Sequence, residues 1–240
     1  MDEPTPVEAA HLRVAELVQG LHNRTGDDAE SVIAELAEHA AVEIPGAQYA
    51  GITLTKNARN IDTPAATSEW PVLLDKIQQR HLEGPCLSAA WEEKTVHVAD
   101  LEHDDRFPNY RRDALAETPI RAVMAFQLFI ADETLGALNI YAEQPNVFGP
   151  ESRTLGLIFA AHSSVAWNSA RRDEQFRRAL ASRDIIGQAK GMVMERYGVN
   201  AVQAFEVLRK LSQDSNVPLH RVATDLVADA QASSGAAKSR

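Results

Sequence analysis

The spacing of apolar positions divides the chain into helices, short strands and a helical C-terminal third. Residues 8–22 and 29–42 read as helices, the second with Val32, Ile33, Leu36, Ala37 and Ala40 on one stripe and a stop at Pro45-Gly46. Residues 49–55 (YAGITLT) read as a strand, followed by a turn at Lys56-Asn57 and a weaker strand over 61–67. Residues 70–82 are helical and end at Glu83-Gly84-Pro85; 95–99 alternate as a strand; a short helix is expected near 110–116. Two long strands follow, 120–130 and 135–141, joined by a tight turn at Ala131-Asp132-Glu133. Gly149-Pro150 then opens a helix whose pattern (Leu155, Ile158, Phe159, His162, Val165) meets no breaker through residue 180. This order predicts an α+β fold, an antiparallel sheet flanked by helices and joined by a long helix to an all-α three-helix bundle. The tail after Ala230 reads as disordered.

The three C-terminal helices can be bounded physically. The first covers about 183–197 and stops at Gly198. The second starts behind Asn200, with Gln203 completing a capping box, and ends near 214. The third starts near Pro218 and runs to about 230. At 100° per residue the first helix centres its apolar face on Ile186, Ala189, Val193 and Tyr197, and the second on Ala201, Ala204, Phe205, Leu208 and Ser212. The third buries Val222, Ala223, Leu226 and Val227. Lys190 and Arg209 each lie about 40° to one side of those centres. Gly187 and Gly191 bare one helix face next to Lys190, for close approach either of a nucleic-acid backbone or of a neighbouring helix.

Charge changes this picture. The 240 residues carry a net charge of −10. Residues 171–221 hold ten Lys/Arg against six Asp/Glu, a net of +4, so the remainder carries −14. A basic segment on an acidic body suits an interaction module, although a solvated helical face would produce the same count. The single cysteine, Cys86, excludes an internal disulfide and fits a reducing cytosol. The N-terminus lacks the apolar run of a secretory signal, and no segment reads as a membrane span, so a cytoplasmic protein is expected. Neither a Gly-x-Ser-x-Gly, a phosphate loop nor a His-Glu-x-x-His is present, and an enzyme is not expected. Asp104-Asp105 lacks the alternating parallel layout that a phospho-acceptor domain would need.

Gly84-Pro85-Cys86, Val98-Ala99-Asp100, Arg106-Phe107-Pro108 and residues 135–139 (LGALN), in that order, resemble the GAF domain family over about residues 28–168. The resemblance implies a sheet with a pocket on one face, used for small molecules or dimerisation, and names no ligand. A cyclic-nucleotide pattern would pair Asn-Lys with Phe-x-x-x-Asp-Glu; here Lys56-Asn57 is reversed and Phe129-x-x-Asp132-Glu133 is one residue short. Haem would want an axial histidine, and His81, His97 and His103 read more readily as surface or hydrogen-bonded residues. Cys86 is a redox-sensing thiol if exposed beside a positive charge, and an inert one if buried. No cofactor and no metal site is assigned. Apolar and aromatic pocket candidates are Tyr49, Phe107, Tyr110, Met124 and Phe126, with plain core packing as the competing reading.

Farther on, Arg183, Ile186, the run Gln188-Ala189-Lys190-Gly191, Met194, Arg196 and Gly198, then Ala204-Phe205-x-x-Leu208-Arg209 and Val222-Ala223, resemble the ANTAR family. That family is a three-helix RNA-binding antitermination output domain. The resemblance implies that Lys190, Arg209, Gly191, Arg183 and Arg196 touch RNA stem-loops, presented in pairs to a homodimer. Ser212 departs from the small apolar residue common there. The expected domains are a GAF-like sensor over 28–168, a connecting helix over 169–182 and an ANTAR module over 183–230. The connecting helix carries a patchy heptad seam of Leu155, Ile158, His162, Val165, Ser169, Phe176 and Leu180. A DNA-binding regulator with the same sensor is the alternative reading, although only His220 and Arg221 make the third helix basic.

Overall fold

The computed structural model describes residues 29–57, 59–91, 94–129 and 135–238, together with Leu12, Glu16 and Gly20. Most of the helix expected over 8–22, and the turn expected at 131–133, lie outside the described residues. The chain divides into two compact units, residues 1–172 and 173–240.

In the first unit, α1 (Ala29–Glu43) precedes a hairpin of β1 (Tyr49–Asn57) and β2 (Asn60–Ala66). Next come α2 (Glu69–His81), α3 (Pro85–Trp91), β3 (Thr95–Val98), a 3-10 turn (Leu101–His103) and α4 (Pro108–Glu117). The long strands β4 (Ala122–Phe129) and β5 (Leu135–Ala142) follow, and α5 (Pro150–Tyr197) starts in this unit and continues into the second. All strand pairs are antiparallel and the sheet order is β2-β1-β5-β4-β3.

Strand alternation divides the side chains between two apolar layers. On one face Ala50, Ile52, Leu54, Met124, Phe126, Leu128, Leu138 and Ile140 pack with α1 and with Leu155, Phe159 and Trp167 of α5. On the other, Val123, Ala125, Ala137 and Tyr141 pack with α2, α3 and α4 through Leu74, Ile77, Cys86 and Tyr110. Helices covering both faces explain why β4 (AVMAFQLF) is nearly continuously apolar.

Element α3 was not expected, because Glu83-Gly84-Pro85 reads as punctuation. The seven-residue helix starts at Pro85, a suitable first-turn residue, and its leading N–H groups are capped from outside the segment. Gln78 Oε1 accepts from the N–H of Cys86 at 2.8 Å and of Leu87 at 3.4 Å. Gly84 permits this approach: its φ is +146°, and a Cβ there would stand 2.4 Å from Gln78.

In the second unit the end of α5, α6 (Ala201–Ser215) and α7 (Leu219–Lys238) bury Ala189, Val193, Ala204, Leu208, Ala223 and Val227. Asn200 Oδ1 accepts from the N–H groups of Val202 and Gln203 at 3.1 and 3.0 Å, and Gln203 answers through the Asn200 N–H, completing the expected box. Two expectations change. The helix α7 continues to Lys238, past Ala230, in keeping with the strong helix propensity of its alanines. Tyr197 and Phe205, placed by the wheel at the apolar centres, are 67% and 39% exposed, because three short helices cover only a narrow stripe of each neighbour.

Candidate RNA interface and sensory interior

The C-terminal surface is built next to the small core. Lys190 follows the buried Ala189 and is itself half-buried, as suits a long cationic side chain at the rim of an apolar core. Arg209 follows the buried Leu208 and is exposed, with its guanidinium on Glu206 (Nε–Oε2 3.1 Å and NH2–Oε2 2.5 Å). Arg183, Gly191 and Arg196 are exposed. Among the described residues, Arg183, Lys190 and Arg196 make no ion pair. A Cβ built on Gly187 or on Gly191 meets nothing within 4 Å. Among the described residues, no neighbouring helix therefore uses this bare face.

The interior of the first unit holds a polar cluster that the apolar pattern hid. Asp75, on the buried face of α2, accepts from Thr53 Oγ1 at 2.6 Å, Thr63 Oγ1 at 2.8 Å and Gln78 Nε2 at 3.0 Å. Asn139 Nδ2 donates in turn to Thr53 Oγ1 at 2.8 Å. The Tyr110 and Tyr141 hydroxyls and Asn139 Oδ1 are buried without a hydrogen-bond partner among the described residues, and both tyrosines lie in the electrostatic field of Asp75 and Cys86. Burial with only neutral donors pushes the Asp75 carboxyl up to about 6. Burial, with Asp75 nearby, also pushes the Cys86 thiol up, so it remains protonated. A signal was present in the sequence: Pro71, Leu74, Asp75 and Gln78 recur at helical spacing, which places two polar residues on an apolar stripe.

The five apolar pocket candidates do not meet on one side of the sheet. Tyr49, Phe107 and Tyr110 pack on the side that holds α2, α3 and α4, where the Phe107 and Tyr110 rings meet edge-on at 6.5 Å. Met124 and Phe126 point to the opposite side, against α1 and α5, because alternate residues of β4 face opposite ways. The histidines raised for haem have other partners: His81 Nε2 lies 2.7 Å from Asp113, His103 Nδ1 lies 2.8 Å from Asp100, and His97 stands edge-on to Phe148. A separate cleft of about 400 Å³ is lined by residues that include Asn60, Asp62, Gln79 and Arg171.

The GAF domain family model matches residues 26–168, more than half of the chain. The chain belongs to the GAF family. The ANTAR domain model matches residues 174–227, giving a GAF-ANTAR architecture. Both domains are regulatory, and this GAF-ANTAR chain is a regulator and not an enzyme. Comparison with curated proteins gives no match. Among solved structures, the chain resembles the free methionine-R-sulfoxide reductase of Neisseria meningitidis in complex with its substrate, with 12% identity and a TM-score of 0.54 over 72% of this chain and 96% of that one. It also resembles the GAF domain of a phosphoenolpyruvate-protein phosphotransferase from Coxiella burnetii, with 16% identity and a TM-score of 0.53 over 70% and 98%. At these identities the likeness shows the GAF fold alone. Among the described residues, no helix is long and apolar enough to cross a membrane.

The Asp75 carboxyl of the GAF unit yields a pH prediction. Its folded pKa is raised, to about 6 from an unfolded 3.8, so its contribution to stability is fully present below pH 3.8 and is lost as pH rises through 6. A shift of that size corresponds to about 3 kcal/mol. Asp75→Asn is expected to remove this slope, so that the variant gains on the wild type as pH rises from 4 to 7. Urea unfolding of both proteins across that range checks it; parallel pH curves would contradict the assignment.

Proposed function

We propose that the chain is a signal-responsive RNA-binding antitermination regulator, in which the ANTAR unit of a homodimer binds paired RNA stem-loops. Lys190, Arg209, Gly191, Arg183 and Arg196 form the contact surface. The observation that carries this reading is the open glycine face of α5 beside Lys190, a cation that no carboxylate among the described residues holds. Backbone phosphates suit a bare helix face flanked by cations, and bases in loops are readable where the deep groove of paired RNA is closed. For duplex DNA the third helix is poorly equipped, since Arg221 lies 3.7 Å from Asp225.

Crosslinking followed by sequencing of bound cellular transcripts tests the reading, with recovery of sequences that form two adjacent hairpins as the expected result. Competition of labelled stem-loop RNA by duplex DNA separates the alternatives: displacement by DNA at equal concentration would favour the DNA-binding regulator.

The GAF unit, with a domain over 28–168 and a connecting segment over 169–182, senses a small molecule on its α2–α4 side. There Asp75, Asn139, Tyr110 and Tyr141 bring polar groups into an apolar interior, which is how ligand sites gain specificity. The buried, protonated Cys86 makes a thiol-based redox signal the poorer reading.

Coupling runs through dimerisation along α5. Val165, Phe176 and Leu180 are 64%, 70% and 49% exposed, large apolar groups that a partner helix would cover. Phe176→Glu combined with Leu180→Glu is expected to give a monomer in sedimentation analysis that retains one hairpin and loses the avidity of two. Equal affinity of monomer and dimer for a two-hairpin RNA would end the coupling proposal.

A further inference from the structure

Helix α6 carries more apolar surface than its core uses. Ala204 and Leu208 are fully buried, yet Phe205 is 39% exposed and Val202 is 73% exposed. Val202, Phe205 and Arg209 recur at spacings of three and four, which places them within about 60° of one another on the helix surface. Arg209 therefore shares a helix face with a partly exposed aromatic ring. Its only ion-pair partner among the described residues is Glu206, and both side chains are about half exposed.

Resting on the RNA-binding reading above, we infer that Phe205, with Val202 beside it, is a stacking platform for an unpaired RNA loop base, and that Arg209 takes the phosphate next to that base. An aromatic face is sequence-tolerant and supplies what a cation alone lacks, a surface that distinguishes a splayed-out base from a paired one. The guanidinium matches a phosphate in geometry and charge. Charge complementarity also favours RNA over a second copy of the chain as the occupant. A copy seated here would cover Arg209 and Glu206 along with the ring and desolvate both.

The test uses the full chain and a two-hairpin segment taken from the crosslinked transcripts, with 2-aminopurine in one loop. The wild type is expected to quench the fluorophore on binding. Phe205→Leu is expected to weaken binding by about tenfold, within the range set by loss of one base stack, with the salt dependence of affinity unchanged. Phe205→Tyr is expected to restore both affinity and quenching. Wild-type affinity and quenching in Phe205→Leu, while Lys190→Ala with Arg209→Ala still loses binding, overturns the platform and leaves the RNA reading standing. A loss of dimer in Phe205→Leu at unchanged single-hairpin affinity overturns it in favour of a second copy. Failure of the wild type to bind any hairpin removes the RNA reading and the platform with it.

Discussion

Alanine at both Lys190 and Arg209 is expected to lower affinity for a two-hairpin RNA by about 100-fold, the sum of two charge-assisted contacts of about 1–3 kcal/mol each. Neither residue belongs to the six-residue core of the second unit, and Ala is a strong helix former at both positions, so helix content and melting temperature are expected to be unchanged. The Arg209–Glu206 pair that the substitution removes is exposed at both ends and contributes little to folding. Fluorescence anisotropy beside far-ultraviolet circular dichroism reads the two quantities separately. Two losses are expected together: a lower affinity, and a shallower dependence of log Kd on log salt, by about one unit for each phosphate contact removed. Wild-type affinity in the double variant would refute this site.

The largest expected effect on folding is at Gly156. A Cβ added there would stand 2.0 Å from Cζ of Phe126 and 2.2 Å from Cε2, far inside van der Waals contact. Phe126 is fully buried between β4, α1 and α5, so its ring has no free space into which to move. Gly156→Ala should therefore lose the usual stabilising gain of about 1 kcal/mol for Gly to Ala in a helix. Instead it should destabilise the GAF unit by about 3 kcal/mol, at the upper end for an overpacked core. Differential scanning calorimetry checks this. Pairing the change with Phe126→Leu, which removes the clashing ring atoms, is expected to recover part of the loss; no recovery would place the strain elsewhere.

The contrast between these two sites explains what the sequence made legible. Strands β4 and β5 were readable to within two residues because apolar side chains cover both sheet faces, and the box at Asn200 and Gln203 was readable because it is local. Phe126 was visible as an apolar residue, but its partner Gly156 was not, since a close approach between elements thirty residues apart leaves no periodic trace. The same holds for α3, whose cap comes from Gln78, and for the partners of Asp75, since helical spacing puts the carboxyl on an apolar stripe but does not show that Thr53 and Thr63 close over it. In the second unit the turns between the helices were legible at Gly198 and Pro218, while the end of α7 and the depth of burial were not. A wheel gives angles and cannot say how wide a stripe two partners cover, so Phe205 and Tyr197 emerged partly bare.

The borrowed cap of α3 has a consequence for the order in which the GAF unit assembles. A seven-residue helix has almost no stability of its own, because nucleation costs more than so few hydrogen bonds return. Its first N–H groups are satisfied only when Gln78 is in place, and Gln78 is aimed by Asp75, which is itself held by β1 and β2. Segment 85–91 is therefore expected to form after α2 has docked on the β1–β2 hairpin, and to open when α2 lifts. The two helices make up one cooperative unit, and their slowest-exchanging amides should share a single opening free energy.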